Sequence, residues 1–132
     1  MVTEEKKVEL IEAACAVRAY AYAPYSNYRV GAAILLEDDS IITGVNVENA
    51  MYGLGVCAER TAVFKAVSEG AQKVLAVAVC TKNGGSPCGA CRQVLVEFAG
   101  DIPVLISDAA GQVRETTLHA LLPDHFGPQH LK

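Results

Sequence analysis

No run of apolar residues in this chain is long enough to cross a bilayer; the longest clean ones are of the order of Ala32–Leu36, Val74–Val79 and Val104–Ile106, whereas a spanning helix needs about 20 residues. Met1–Lys7 is too charged to open a signal peptide, so a soluble, cytoplasmic protein is expected. Clustered basic charge is missing too. The 11 Lys and Arg residues stand against 15 Asp and Glu, the net charge is −4, and Lys6-Lys7 is the only adjacent basic pair. Long nucleic acids are held largely by Lys and Arg neutralising phosphates, so this balance excludes a nucleic acid polymer and suits a neutral small molecule. Internal repeats, low-complexity tracts and linkers are also absent, and 132 residues fit one domain, 1–132. Cysteine is sparse and odd in number at five, which argues against a disulfide framework. Cys15 and Cys80 read as small buried hydrophobes. What the chain does have is 52% hydrophobic residues, slightly high for a soluble domain, and this points to surface buried against copies of itself.

The periodicities give the order α-β-β-α-β-α-β-β-α. Glu4 to about Tyr22 repeats Val8, Ile11, Ala14, Cys15, Val17 and Ala21 at helical spacing, and Pro24 stops it. Tyr28–Glu37 and Ser40–Val47 flank Asp38-Asp39 as a hairpin. Cys57–Glu69 reads as a helix closed by Gly70, and Lys73–Thr81 as a strand covered on both faces. Cys88–Phe98 is a third helix, Pro103–Ser107 and Gln112–Thr117 are strands, and Thr116 or Thr117 caps a short helix through Leu122. No period is visible in the tail 124–132. Strands alternating with helices imply right-handed crossovers and an α/β fold with helices on both sheet faces.

The chemistry lies in Cys57-Ala58-Glu59 and Pro87-Cys88-Gly89-Ala90-Cys91. Three thiolates can hold a tetrahedral Zn²⁺ and leave its fourth position open, which is the layout of a catalytic site; structural zinc takes four protein ligands. Cys15, Cys80, His119, His125 and His130 do not sit at ligand spacing from the three. Glu59 is placed to move protons beside the open position; without the cysteines it would be an ordinary first-turn helix acid. The pattern is that of zinc deaminases acting on nucleobases. Both motifs fall at helix N-termini, whose free N–H groups and dipoles draw charge off the sulfurs and favour thiolate. Arg60 is a candidate donor to sulfur.

These stretches, with Ala23-Pro24-Tyr25-Ser26, Val30-Gly31-Ala32-Ala33, Gly44–Ala50, Cys57–Ala62, Ser86–Gln93 and Leu121-Leu122-Pro123 followed by Phe126, resemble the short, three-cysteine cytidine deaminases of nucleoside (pyrimidine) salvage over nearly the whole chain. The resemblance implies a three-layer α/β/α sandwich with a mixed five-stranded sheet, a homotetramer, and conversion of cytidine and deoxycytidine to uridine and deoxyuridine with release of ammonia. It implies one Zn²⁺ per chain on Cys57, Cys88 and Cys91, with Glu59 as proton shuttle. The Ala58 N–H would face the pyrimidine 2-carbonyl, and Asn46 and Glu48 would hold the ribose 3′-hydroxyl. Phe126 would reach a neighbouring subunit's site and pack on the base, and Tyr52 matches an aromatic near the site. Tyr28 stands where the family usually has the Phe that stacks on the pyrimidine; its ring keeps a face to offer, but its hydroxyl needs a partner if buried. A blasticidin-type deaminase and a non-enzymatic structural zinc module are the rivals. In the antibiotic enzymes the segment matching Asn46–Asn49 and the residue after the catalytic Glu differ; the zinc module requires a closed coordination shell.

Overall fold

In the computed structural model, which describes residues 1–131, the first helix, α1 (Glu4–Val17), starts where Thr3 Oγ1 accepts the Lys6 N–H at 3.1 Å. It ends at Val17 and passes into a 3₁₀ turn over Arg18–Tyr20, short of the expected Tyr22. The reason is tertiary: Tyr22 leaves the helix to pair with the strand-end segment, its N–H bonding to Asn46 O at 3.0 Å and its carbonyl accepting from Glu48 N at 2.8 Å. The hairpin is β1 (Gly31–Leu36) and β2 (Ile41–Val45), turned at Asp39, whose φ is 72°. Both strands are shorter than the β-rich sequence around them. Tyr28–Val30 stays off the ladder because its backbone bonds to side chains instead, Tyr28 N to Ser26 Oγ and Val30 N to Asn46 Oδ1.

Helix α2 (Ala58–Ser68) is closed by Gly70 at φ 97°, the left-handed position that favours glycine. Then come β3 (Val74–Thr81), α3 (Gly89–Phe98), β4 (Pro103–Asp108), β5 (Val113–Thr117) and α4 (Leu118–Leu121), the last capped by Thr117 Oγ1. The tail adds a 3₁₀ turn over Pro128–His130 that periodicity did not reveal. The sheet order is β2-β1-β3-β4-β5, with only β3 and β4 parallel. The expected mixed five-stranded sheet is present. The crossovers carrying α2 and α3 both advance in one direction along the sheet, so both helices lie on one face, and α1 covers the other.

The two faces differ in kind. Towards α2 and α3 the sheet presents Ile34, Leu36, Val77, Val79, Val104 and Ile106; towards α1 it presents Ala33, Ala76, Ala78 and Cys80, with Leu35 and Leu105. The small side chains let α1 sit close, and Gly31 has no room for a Cβ beneath the backbone of Ala14 and Arg18. This closeness corrects one reading. Cys15 and Cys80 are not separate buried hydrophobes but a disulfide pair, 5.1 Å apart at Cα and 65 residues apart in sequence. Neither residue's local pattern carries that information; the small-residue face that brings α1 down onto β3 does.

Gly44 is the equivalent contact on the other face. A Cβ there would lie 2.5 Å from both Ala58 O and Ala62 N, so this glycine sets how closely the start of α2, and Cys57 with it, approaches the sheet. Overpacking of this kind costs about 1–3 kcal/mol. Gly44→Ala should lower the unfolding temperature at fixed zinc and protein concentration and reduce bound zinc per chain. A variant with parental melting temperature and zinc content would show that α2 does not need the contact.

Candidate active site

Cys57 and Cys88 are the N-cap residues of α2 and α3, and Cys91 lies one turn into α3. Their sulfurs all lie within 4.8 Å of one another, with Cys57 to Cys88 at 3.9 Å and Cys88 to Cys91 at 3.4 Å. Zn–S bonds of about 2.3 Å in tetrahedral array set sulfurs about 3.8 Å apart, so the three residues fit zinc. Among the described residues no fourth His, Cys or carboxylate joins the group. The site is therefore open, as a structural zinc module would not be.

The donors around the sulfurs support thiolate. Arg60 Nη2 donates to Cys57 Sγ at 3.4 Å, while Arg60 Nε is buried without a partner. A hydrogen bond from the Cys91 thiol, together with Arg60, brings the Cys57 thiol down to about 5. The same contact with Cys57, and then burial, push Cys91 the other way. Metal binding takes the sulfurs as thiolates, so a bound cation and these donors act in the same direction. Glu59, 4% exposed, points into this region, and burial pushes its carboxyl up to about 7, the Cys57 charge acting in the same sense. Ala58 is wholly buried, and as the first helical residue its N–H lies outside the helical ladder.

One short backbone bridge of two hydrogen bonds connects this centre to the candidate sugar site. Val47 N and O bond Val56 O and N, both at 3.0 Å, which puts Asn46 and Glu48 next to the residue preceding Cys57, with their side chains on one face of the extended segment. Neither is a free polar group. Asn46 Oδ1 accepts from Val30 N at 2.9 Å, and its Nδ2 donates to Tyr28 O at 2.8 Å. Glu48 Oε1 accepts from Tyr25 N at 2.9 Å and Ser26 N at 3.1 Å, and Oε2 takes a short bond from the Ser26 hydroxyl. The Ser26 hydroxyl and these N–H groups hold the Glu48 carboxyl below the usual range.

Tyr25, Ser26, Glu48, Asn49, Tyr52 and Gly55 line a cavity of about 360 Å³. Tyr52 is 80% exposed and meets Tyr25 edge to face at 6.1 Å. Phe126 is elsewhere: its carbonyl accepts from Gln93 Nε2 at 2.8 Å, its ring stacks on His130 at 5.2 Å, and it remains 58% exposed. The structure thus gathers Cys57, Cys88, Cys91, Glu59, Ala58 and Arg60 at one point and Asn46, Glu48 and Tyr28 beside it, but leaves Phe126 outside its own chain's pocket. Sequence reasoning missed Arg92. Its Nε and Nη2 bond Pro87 O at 2.7 Å and Ser86 Oγ at 3.0 Å, and its Nη1 bonds Leu121 O at 2.7 Å. Its place immediately after Cys91, within a turn of the loop it fastens, was the available signal.

The Glu59 shift has a stability consequence. A buried acid whose folded value lies above its unfolded one costs stability as pH rises from the unfolded value, near 4.5, through about 7. In zinc-free protein, Glu59→Gln should match the parent below pH 4.5 and exceed it by up to roughly 3 kcal/mol above pH 7. Denaturant titrations of both across this range check it; curves that stay parallel would contradict the buried-acid assignment.

A family model describing the cytidine and deoxycytidylate deaminase zinc-binding region matches residues 4–106. A cytidine deaminase of Halalkalibacterium halodurans is 51% identical over 120 residues, 89% of this chain and 91% of that protein. One from Sporosarcina psychrophila is 48% identical over 126 residues, 93% of each. Among solved structures, the cytidine deaminase of Burkholderia pseudomallei superposes with a TM-score of 0.87 at 46% identity, covering 94% of this chain and 99% of that one. The match and the three-cysteine cluster together give one zinc ion per chain as cofactor. With its mixed sheet, its open thiolate centre and these relatives, the chain belongs to the zinc-binding cytidine and deoxycytidylate deaminase family.

Proposed function

We propose that this protein is a cytidine deaminase, hydrolysing cytidine and deoxycytidine to uridine and deoxyuridine with release of ammonia, and that it works in pyrimidine salvage in the cytoplasm. The observation that carries the reading is a buried carboxyl, Glu59, beside an open three-thiol centre, in a chain of this family. Zinc held by Cys57, Cys88 and Cys91 would supply Lewis acidity that lowers the pKa of water. Glu59 takes a proton from the attacking water and returns protons to the ring nitrogen and the departing ammonia, work that a group poised near neutrality does best. Arg60 steadies the Cys57 thiolate. The Ala58 N–H is directed to the 2-carbonyl of the pyrimidine, the Tyr28 ring offers a stacking face, and Asn46 and Glu48 take the ribose hydroxyl through valences their loop contacts leave free.

The active unit is a homotetramer with shared sites. Tyr22, Tyr25, Val47, Met51, Tyr52 and Leu54 form exposed apolar surface around the site's mouth, and a patch of this kind asks for a partner. Phe126, exposed and anchored by its backbone, is suited to enter a neighbour's pocket, where Tyr52 supplies a further aromatic edge. The alternatives are not favoured: the coordination shell has three members among the described residues, against a structural zinc module, and the similarity to cytidine deaminases over most of the chain speaks against the antibiotic enzyme.

Ammonia release from cytidine, with and without a chelator, tests the reaction. Glu59→Gln should keep zinc and fold while losing at least about 10²- to 10⁴-fold in kcat; parental turnover would sink the mechanism. For the shared site, Phe126→Ala should raise KM with zinc content unchanged, and dilution of the parent to monomers should abolish activity. A fully active monomer would contradict the tetramer.

A further inference from the structure

The loop between β3 and α3 delivers Cys88, and the structure shows how that loop is held. From inside, Thr81 Oγ1, buried at the end of β3, accepts the N–H groups of Gly84 at 2.8 Å and Gly85 at 3.0 Å. From behind, Arg92 fastens Ser86 and Pro87. The third attachment comes from the opposite wall: the Tyr28 hydroxyl donates to Asn83 Oδ1 at 2.7 Å. The loop is shaped to receive it. Gly84 takes φ 77°, and a Cβ on Gly85 would lie 2.8 Å from the Tyr28 oxygen, so the hydroxyl rests against backbone that only glycine leaves open.

Tyr28 is itself rigidly mounted. Its N–H donates to Ser26 Oγ at 3.0 Å and its carbonyl accepts from Asn46 Nδ2 at 2.8 Å, while Ser26 also bonds Glu48. One residue thus has its backbone in the polar cluster assigned to the sugar and its side-chain tip on the loop that ends in a zinc ligand.

We propose that Tyr28 is a positioning residue for the metal centre, the Tyr28–Asn83 hydrogen bond acting as a strut that ties the sugar-side turn to the loop carrying Cys88. A phenylalanine here would keep the ring face and lose the strut. The inference rests on Cys57, Cys88 and Cys91 being the zinc ligands, and its consequence is read on metal retention.

The experiment follows zinc transfer from the full-length protein to a chromogenic chelator, at a temperature well below unfolding. The parent, Tyr28→Phe, Asn83→Ala, the double variant and Ile102→Val are compared. Ile102, buried ahead of β4 at the far end of that strand from Asp108, gives a core loss of comparable size to one hydrogen bond. Tyr28→Phe and Asn83→Ala should each release zinc about two- to tenfold faster, the range one hydrogen bond supports. The double variant should be no faster than the faster single one, and Ile102→Val should match the parent. Parental rates in both single variants, multiplying effects in the double variant, or equal acceleration in Ile102→Val would overturn the strut. If the parent holds zinc in any of these cases, the ligand assignment survives. A parent that binds no zinc would overturn both.

Discussion

Three thiol sulfurs within 4.8 Å of one another, with a carboxyl buried beside them, crowd groups whose charged forms repel one another, and much of this fold is arranged to relieve it. Two helices begin at the cysteines, so their unpaired N–H groups and dipole ends face the cluster. Arg60 contributes a formal positive charge at Cys57. What remains is met by the cation the cluster binds, and burial favours the protonated form of Glu59 beside it. Burial raises the carboxyl, with the Cys57 charge adding to it, and a raised carboxyl is also what a proton shuttle requires.

Bringing two helix N-termini to one point constrains the sheet. Right-handed crossovers advancing in the same direction place α2 and α3 side by side on one face, and Gly44 permits the first turn of α2 to press against β2. The opposite face carries none of these site residues. It is covered by α1 over a floor of alanines, where the Cys15–Cys80 pair joins helix to strand.

The legible part of the sequence was the part with short-range logic. Cysteine spacing announced the metal centre, and Glu59 was readable only because Cys57 lies two residues before it. Element types followed from period and turn residues, with errors at ends where tertiary contacts took over, as at Tyr22 and Tyr28–Val30. The disulfide and the Tyr28–Asn83 bond join residues 65 and 55 positions apart; no local pattern encodes such a meeting. The roles of Asn46 and Glu48 came from resemblance, and spacing alone would have left them solvated strand-end residues.

The structure changes what those two residues mean. Each is employed in building the site before any ligand arrives. Asn46 spends one donor and one acceptor on Tyr28 and Val30, leaving one N–H and one lone pair. Glu48 spends three acceptor positions on Tyr25 and Ser26, leaving one on Oε2. Since each residue has little left to offer and its direction is fixed, any further hydrogen bond has to be made where the free valence already points. This is preorganisation: the loop contacts immobilise the side chains during folding, so binding incurs less ordering cost. The same contacts make the roles inseparable. Removing Glu48 would release the Tyr25–Ser26 turn, and through Ser26 disturb Tyr28, so the proposed sugar contact and the proposed hold on the metal loop are expected to be lost together from one substitution.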